Sequence, residues 1–265
     1  MPDSNSLSIA PAADAREEAA GGQRRFYAIS RRLLDIVGAS ILLVACAIPM
    51  LIISALIRLD SPGPAIFRHR RVGLNRRRQS IAPPRGERRR LAGHGKPITL
   101  WKFRSMYVDA RQRFPELYAY EYTADELHDI PLKLLVGVKP KSSELATVMA
   151  ARRYDPRITR VGAWLRRTSL DELPNFWNVL IGDMSLVGPR PDIEENVRYY
   201  SAPHLTKFDV KPGITGLSQI SGRKMLSFHA TNEHDVRYAV NCSLWLDLRI
   251  LARTFVVAIK GVGAF

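Results

Sequence analysis

The sequence predicts an α+β fold, mainly helical and associated with a membrane. Three observations predict it: a long uncharged apolar run near the N-terminus, apolar residues at helical spacing over much of the second half, and a short strand pattern between them.

Residues 1–22 are small, polar and rich in Gly and Ala, a composition expected to be disordered. Residues 23–60 form the membrane-inserted unit. From Ile36 to Ile57 the chain reads IVGASILLVACAIPMLIISALI, with no charged residue. That length suits a bilayer core, and it is too long, with no small-residue cleavage site after it, for a signal peptide. Arginines stand on both flanks, Arg24, Arg25, Arg31 and Arg32 before and Arg58, Arg68, Arg70 and Arg71 after. Positive residues mark the cytoplasmic side, so both ends carry the same mark. Pro49 lacks a donor and clashes with the preceding turn, which kinks a helix. Taken alone, the segment fits two readings: an ordinary span with a tolerated proline, or a helix that enters, bends at Pro49 and returns to the same face.

Residues 61–265 form the remaining domain. LDSPGPAIF turns into an extended run. Between Arg68 and Lys96 the chain carries eleven Lys/Arg and a single acid, Glu87, with Pro and Gly that argue against regular structure. A basic insert at about 79–97 beside a membrane segment most simply meets anionic lipid headgroups. It has no aromatic residue on which bases would stack, so nucleic acid is not the expected partner. TLWKFRSM at 99–106 reads as a strand, and 107–150 as helical material followed by a Lys-rich link. Val161, Leu165, Phe176, Val179 and Leu180 give a helical face, with Gly182 as its stop. Pro189 and Pro191 stiffen a turn around Arg190. LWLDLRILARTFVVAI near the end reads as an amphipathic helix, either packed on the core or lying in the headgroup layer, with the earlier apolar segment favouring the interface.

Lys+Arg number 40 against 25 Asp+Glu, a formal charge of +15, which attracts anions. Cys46 and Cys242 fit no metal spacing and no disulfide framework. The histidines form no metal spacing. Against this basic background, TSLDELPN at 168–175 places two adjacent carboxylates after Arg166 and Arg167. Ser169 and Glu172 fit a capping box. Asp171 fits equally a group acting on a phosphate held by arginines, and the two roles are compatible, since a helix start favours anions. Pro174 sits awkwardly in that register.

RRLLDIVGA before the apolar run, SPGPAIFRHRRVG after it, WKFRSM, DPRITRVGAWLRRTSLDELPNFWNVLIGDMSLVGPRP, VKPGITGLSQISGR and LDLRIL follow one another in order. In these pieces, from about Arg31 to Phe265, the chain resembles the bacterial sugar transferases that load a sugar-1-phosphate onto a polyprenyl phosphate, the monotopic phosphoglycosyl transferases. It departs from them in having Ile48 before the proline where members often have serine, and in the length of the basic insert. It resembles the catalytic unit alone, without the polytopic extension of some relatives.

The resemblance implies a membrane-associated catalytic domain with a re-entrant helix kinked at Pro49. It implies Asp171 as nucleophile and Glu172 as its partner, with Mg²⁺ held by Glu172 and Asp171. Lys102, Arg104, Pro189, Arg190, Pro191 and Arg223 are the expected phosphate and nucleotide contacts, and Asp183 and Asp235 possible support. The expected substrates are a UDP-sugar and undecaprenyl phosphate, with UMP released, at the start of exopolysaccharide or glycoconjugate assembly. A simple crossing would put Asp171 outside the cell, where nucleotide sugars are absent, so a same-side return and the cytoplasmic face of the bacterial inner membrane are expected. The rivals are a basic membrane-anchored scaffold without chemistry and a glycosyltransferase that releases UDP.

Overall fold

The structure, a computed structural model, describes residues 10–75, 95–118, 123–129, 155–222 and 226–260. It is α+β and mainly helical, as the sequence predicts. Helix α1 (Ala10–Ala45) and helix α2 (Ala47–Asp60) meet at a 59° bend. Pro49 explains where the bend falls. It offers no N–H to the carbonyl of Ala45, and its ring would collide with that carbonyl in a continuous helix. The ladder is intact on either side: Cys46 N–H donates to Leu42 O at 2.9 Å, and Met50 N–H to Cys46 O at 2.8 Å. Pro49 itself lies in the first turn of α2, where a missing donor costs nothing. Among the described residues no single helix is long and apolar enough to cross a membrane, and only the bent pair together passes that test. One expectation changes here. Helix α1 starts at Ala10, so residues 10–22 are helical rather than disordered; their Ala and Glu residues are strong helix formers.

Strands β1 (Ile66–Val72) and β2 (Pro97–Phe103) pair antiparallel, with Phe67 opposite Lys102 and Arg71 opposite Ile98. Most of the basic insert between them lies outside the described residues, and so does the Lys-rich link further along the chain. Short helices α3 (Ala110–Arg113) and α4 (Ala124–Asp129) supply the helical material expected after β2. Helix α5 (Arg160–Thr168) is capped by Thr159, whose Oγ1 accepts from Gly162 N–H at 3.0 Å. Helix α6 (Asn175–Ile181) ends at Gly182, whose φ of +88° is the left-handed conformation glycine adopts without cost. Strands β3 (Ser185–Val187) and β4 (Gly213–Thr215) pair in parallel through a long crossover containing 3₁₀ segments Glu194–Tyr199 and Ala202–Asp209. Helices α7 (Leu217–Ser221), α8 (Phe228–Asn241) and α9 (Leu244–Lys260) complete the described chain.

The main core joins Ala39 of α1, Ile98 and Leu100 of β2, Val179 of α6, Leu186 and Val187 of β3, Tyr238 of α8 and Ile250 of α9. A second cluster seats α2 through Ile53 and Ile57 on Phe103 and Leu165. Full burial of such a side chain contributes about 1.5–3 kcal/mol, so α2 is fixed to the domain by its inner face. Its outer face leaves Ile48, Leu51, Ile52, Leu56 and Leu59 exposed.

Helices α1 and α9 are built inside out. Asp35 is buried and accepts from Ser185 Oγ and Leu186 N–H, both at 2.8 Å. Asp247, a charged residue of the amphipathic α9, is buried as well and accepts from Tyr27 at 2.9 Å and Tyr238 at 2.6 Å. Arg32 donates to Val179 O and Leu180 O at the end of α6, both at 2.7 Å. Meanwhile Phe26, Ile29, Leu33, Val37, Trp245 and Phe255 face outward. Each polar group turned inward has a partner that would otherwise be an orphaned backbone or side-chain group.

Candidate active site

The acid pair does not open a long helix. Ser169 ends α5 in the left-handed region at φ +59°, alone among the described non-glycine residues, and its side chain caps nothing. A 3₁₀ turn, Leu170–Glu172, carries both acids to Pro174, which sits at the N-cap of α6. The capping box is therefore absent. The proline that fitted badly in an uninterrupted helix is the residue that starts a new one, where it needs no donor. The result is a tight turn presenting Asp171 and Glu172 between two helices.

Glu172 meets two cations. Lys102 Nζ donates to its Oε1 at 2.6 Å from β2, and Arg190 donates to the same oxygen at 3.1 Å from the turn after β3. Burial would raise the Glu172 carboxyl, but Lys102 and Arg190 outweigh it and hold the group well below the usual carboxylate range. Asp171 moves the other way. Burial first, then the neighbouring Glu172 charge, push it up against the pull of Lys102, Arg166 and Arg190. Adjacent carboxylates driven apart in this way are the mark of divided roles, one ionised and fixed, the other more basic.

A cleft beside the pair is lined by Arg71, Leu100, Lys102, Glu172, Arg190, Pro191, Gly213 and Ile214. Its floor depends on close backbone approach. Gly213 N–H donates to Pro189 O and Gly188 N–H to Thr215 O, both at 2.8 Å. A Cβ on Gly213 would stand 2.1 Å from Gly188 N, so a side chain there would part the strand from the Pro189–Pro191 turn.

Of the expected contacts, Lys102, Arg190 and Pro191 come together with the acid pair, and Pro189 supports their turn through its carbonyl. Arg104 does not join them. Strand β2 stops at Phe103, so the alternation that would put Arg104 beside Lys102 is lost. Its buried guanidinium instead donates to Ile57 O, Ser61 O and Pro62 O, closing the C-terminus of α2. Arg223 lies outside the described residues. Asp183 stands in the bend between α6 and β3 and is not among the cleft residues. Asp235 is buried on α8, accepting from Ser218 Oγ at 2.7 Å, and is not among the cleft residues.

The sequence does not assign one cation, Arg71, to the site, and it leaves Arg166 and Arg167 between phosphate and headgroup contact. Arg71 lines the cleft because the β1–β2 register places it on the sheet face of Lys102 and Leu100. Arg166, held by Ser105 Oγ at 2.8 Å, faces Asp171, while Arg167 is exposed. Period-two alternation could have found Arg71 once β1 and β2 were paired, but the long insert hides that pairing.

The arrangement is an anion site with a carboxylate in it. Three cations line the cleft around Glu172, although Arg71 also faces Asp192, and such a setting favours a phosphate group beside Asp171. Among the described residues no group of three or more His, Cys, Asp or Glu is placed to hold a metal ion. Two adjacent carboxylates are nevertheless the protein share of a Mg²⁺ site when substrate phosphates supply other ligands.

The chain matches the bacterial sugar transferase family over residues 26–86 and 78–261. It is 38% identical over 239 residues to the galactosyl transferase CpsE of Streptococcus agalactiae, covering 90% of this chain and 44% of that protein. It is 35% identical over 235 residues to the undecaprenyl-phosphate galactose phosphotransferase of Salmonella typhimurium, covering 89% and 41%. It is 30% identical over 248 residues to the exopolysaccharide production protein ExoY of Rhizobium meliloti, covering 94% and 93%. The chain thus spans less than half the length of the first two relatives and nearly all of the third. By the family match and by this full-length similarity, the chain belongs to the bacterial sugar transferase family.

Proposed function

We propose that this protein is a phosphoglycosyl transferase that moves a sugar-1-phosphate from a UDP-sugar to undecaprenyl phosphate. The observation that carries the reading is the cluster of Lys102, Arg190 and Glu172 beside Asp171, in a family whose relatives include proteins named for that transfer. An Asp171 oxygen attacks the phosphorus that bears the sugar. The bond from that phosphorus to UMP breaks, and UMP leaves with the electron pair. An oxygen of the lipid phosphate then attacks the same phosphorus, the bond to Asp171 breaks, and the free carboxylate returns. Two steps avoid forcing two anionic substrates together at once. Lys102, Arg190, Arg71 and Arg166 balance the charge of the phosphates, which phosphoryl transfer needs more than acid–base help. Glu172, locked by its two cations, orients Lys102 and Arg190. Asp171 and Glu172 would hold Mg²⁺, which when bound supplies further neutralisation of phosphate charge.

The lipid side of the reading rests on the exposed apolar faces of α1, α2 and α9. With the bend at Cys46, they suit a protein dipping into one leaflet of the inner membrane, its cleft on the cytoplasmic side. A groove at the bend, lined by Leu43, Ala47, Met50, Leu51, Ser54, Ile66 and Phe103, offers an apolar path for a prenyl chain.

Purified protein in nanodiscs with Mg²⁺, undecaprenyl phosphate and a panel of UDP-sugars tests the reading. UMP release with one donor, absent in Asp171→Asn, is the expected result. UDP release would instead mark a glycosyltransferase, and no product with any donor would favour a scaffold.

A further inference from the structure

Behind the cleft lies a second charged cluster that the chemistry above does not use. Lys207, in the 3₁₀ segment Ala202–Asp209, is 2% exposed and is not among the cleft residues. Its ammonium donates to Asn232 Oδ1 at 2.6 Å, to Tyr200 Oη at 2.9 Å and to Asp192 Oδ2 at 3.4 Å. Those bonds account for its three hydrogens. Asp192 also receives Tyr200 O–H on Oδ2, and Ile193 N–H and Asn196 Nδ2 on Oδ1. Asp235 Oδ2 stands 3.7 Å from the ammonium with no hydrogen bond of its own.

Asp192 follows Pro191 directly, two residues from Arg190. The turn is tied by its backbone at Pro189 O, which accepts from Gly213, and at Asp192 O, which accepts from Val72 N–H at 3.0 Å. Besides these and the Arg190–Glu172 pair, the Asp192 carboxylate is a further anchor, and Lys207, with Arg71, supplies the positive charge that faces it. Burying an ammonium is costly, and apolar residues of the same volume generally stabilise a core as well or better. What the charge adds is a fixed geometry for whatever it grips.

We propose that Lys207 is a positioning residue for the donor-binding turn, acting through Asp192 to hold Arg190 and Pro191 against the cleft. The inference rests on the phosphoglycosyl transferase reading. Loss of the ammonium lets the turn shift, and a shift of about 1 Å is enough to weaken a charge contact to a phosphate substantially. Asp171 and Lys102 belong to other elements and stay in place. The effect therefore falls on donor binding more than on turnover.

The test measures UMP affinity by calorimetry and steady-state kinetics with the accepted UDP-sugar, on the full chain in nanodiscs. Lys207→Gln is expected to weaken UMP binding and raise the donor KM by about tenfold, with kcat falling less than about threefold. Lys207→Arg, which keeps the charge, should recover most of the affinity. If Lys207→Gln does not fold, Asp192→Asn carries the same expectation. Unchanged UMP affinity in a folded variant, or a loss confined to kcat, overturns the proposal. Failure of both variants to fold also overturns it, in favour of a purely structural network. If the unaltered protein neither binds UMP nor turns over any UDP-sugar, the phosphoglycosyl transferase reading fails, and the inference with it.

Discussion

The two charged clusters on either side of the Pro189–Pro191 turn are near mirror images. In the cleft, one carboxylate, Glu172, is gripped by two cations, Lys102 and Arg190. Behind it, one cation, Lys207, is set between two carboxylates, Asp192 and Asp235. The first opens to solvent and has a third cation, Arg71, in its lining, so it can receive an anion. The second is sealed, with Lys207 2% exposed and Asp235 1% exposed. Burial pushes Asp235 up to about 6. Burial would also raise Asp192, but Lys207, Tyr200 and Arg71 hold it below the ordinary range. Similar side chains thus suit recognition in one place and rigidity in the other, and solvent access decides which.

The largest consequence is expected in the open cluster. Lys102→Met removes the closest cation from Glu172 and one of the charges facing the phosphates, and should lower kcat/KM by about 10²-fold with the accepted UDP-sugar. A loss below about threefold would mean that Lys102 serves only to hold Glu172. In the sealed cluster the consequence is a pH dependence of stability. The folded pKa of Asp235 lies above its ordinary value of 3.8, so the folded state holds this proton more tightly than the unfolded chain does. The stabilisation is complete below about pH 4 and is lost as pH rises through 6, by up to about 3 kcal/mol. Asp235→Asn cannot titrate. Denaturation of both proteins in one detergent at pH 5 and pH 7.5 should show the variant gaining on the unaltered chain as pH rises. A constant gap would place the Asp235 pKa near its ordinary value.

The sequence made one cluster readable and left the other hidden, for physical reasons. Asp171, Glu172, Lys102 and Arg190 fall in short motifs whose residues reach the cleft from three separate elements. The bend that Pro49 causes, which falls at Cys46 just before it, and the stop at Gly182 follow from single-residue backbone rules. Arg104 was misplaced because strand alternation ends one residue before it. The capping box failed because Ser169 takes up a left-handed conformation that residue type alone does not announce. Asp235 and Asp247 look like helix-surface charges when the helix is read alone, and only the elements packed on α8 and α9 bury them. Lys207 gave no signal, since its partners Asp192, Tyr200, Asn232 and Asp235 are spread along the chain and meet only in three dimensions. The sequence also predicted apolar faces on α1 and α9. Which polar residues turn inward beneath them depends on contacts with β3, α6 and α8.

Everything in this account turns on whether Asp171 carries the sugar phosphate. The direct measurement is intact-protein mass spectrometry after brief incubation with the accepted UDP-sugar and no lipid acceptor, followed by acid quench and peptide mapping. The account predicts a mass gain of one sugar phosphate on the peptide containing Asp171, discharged by undecaprenyl phosphate and absent from Asp171→Asn. UMP release from the unaltered chain only when lipid is present, with no adduct at any time, would contradict it and point to direct transfer between the two substrates.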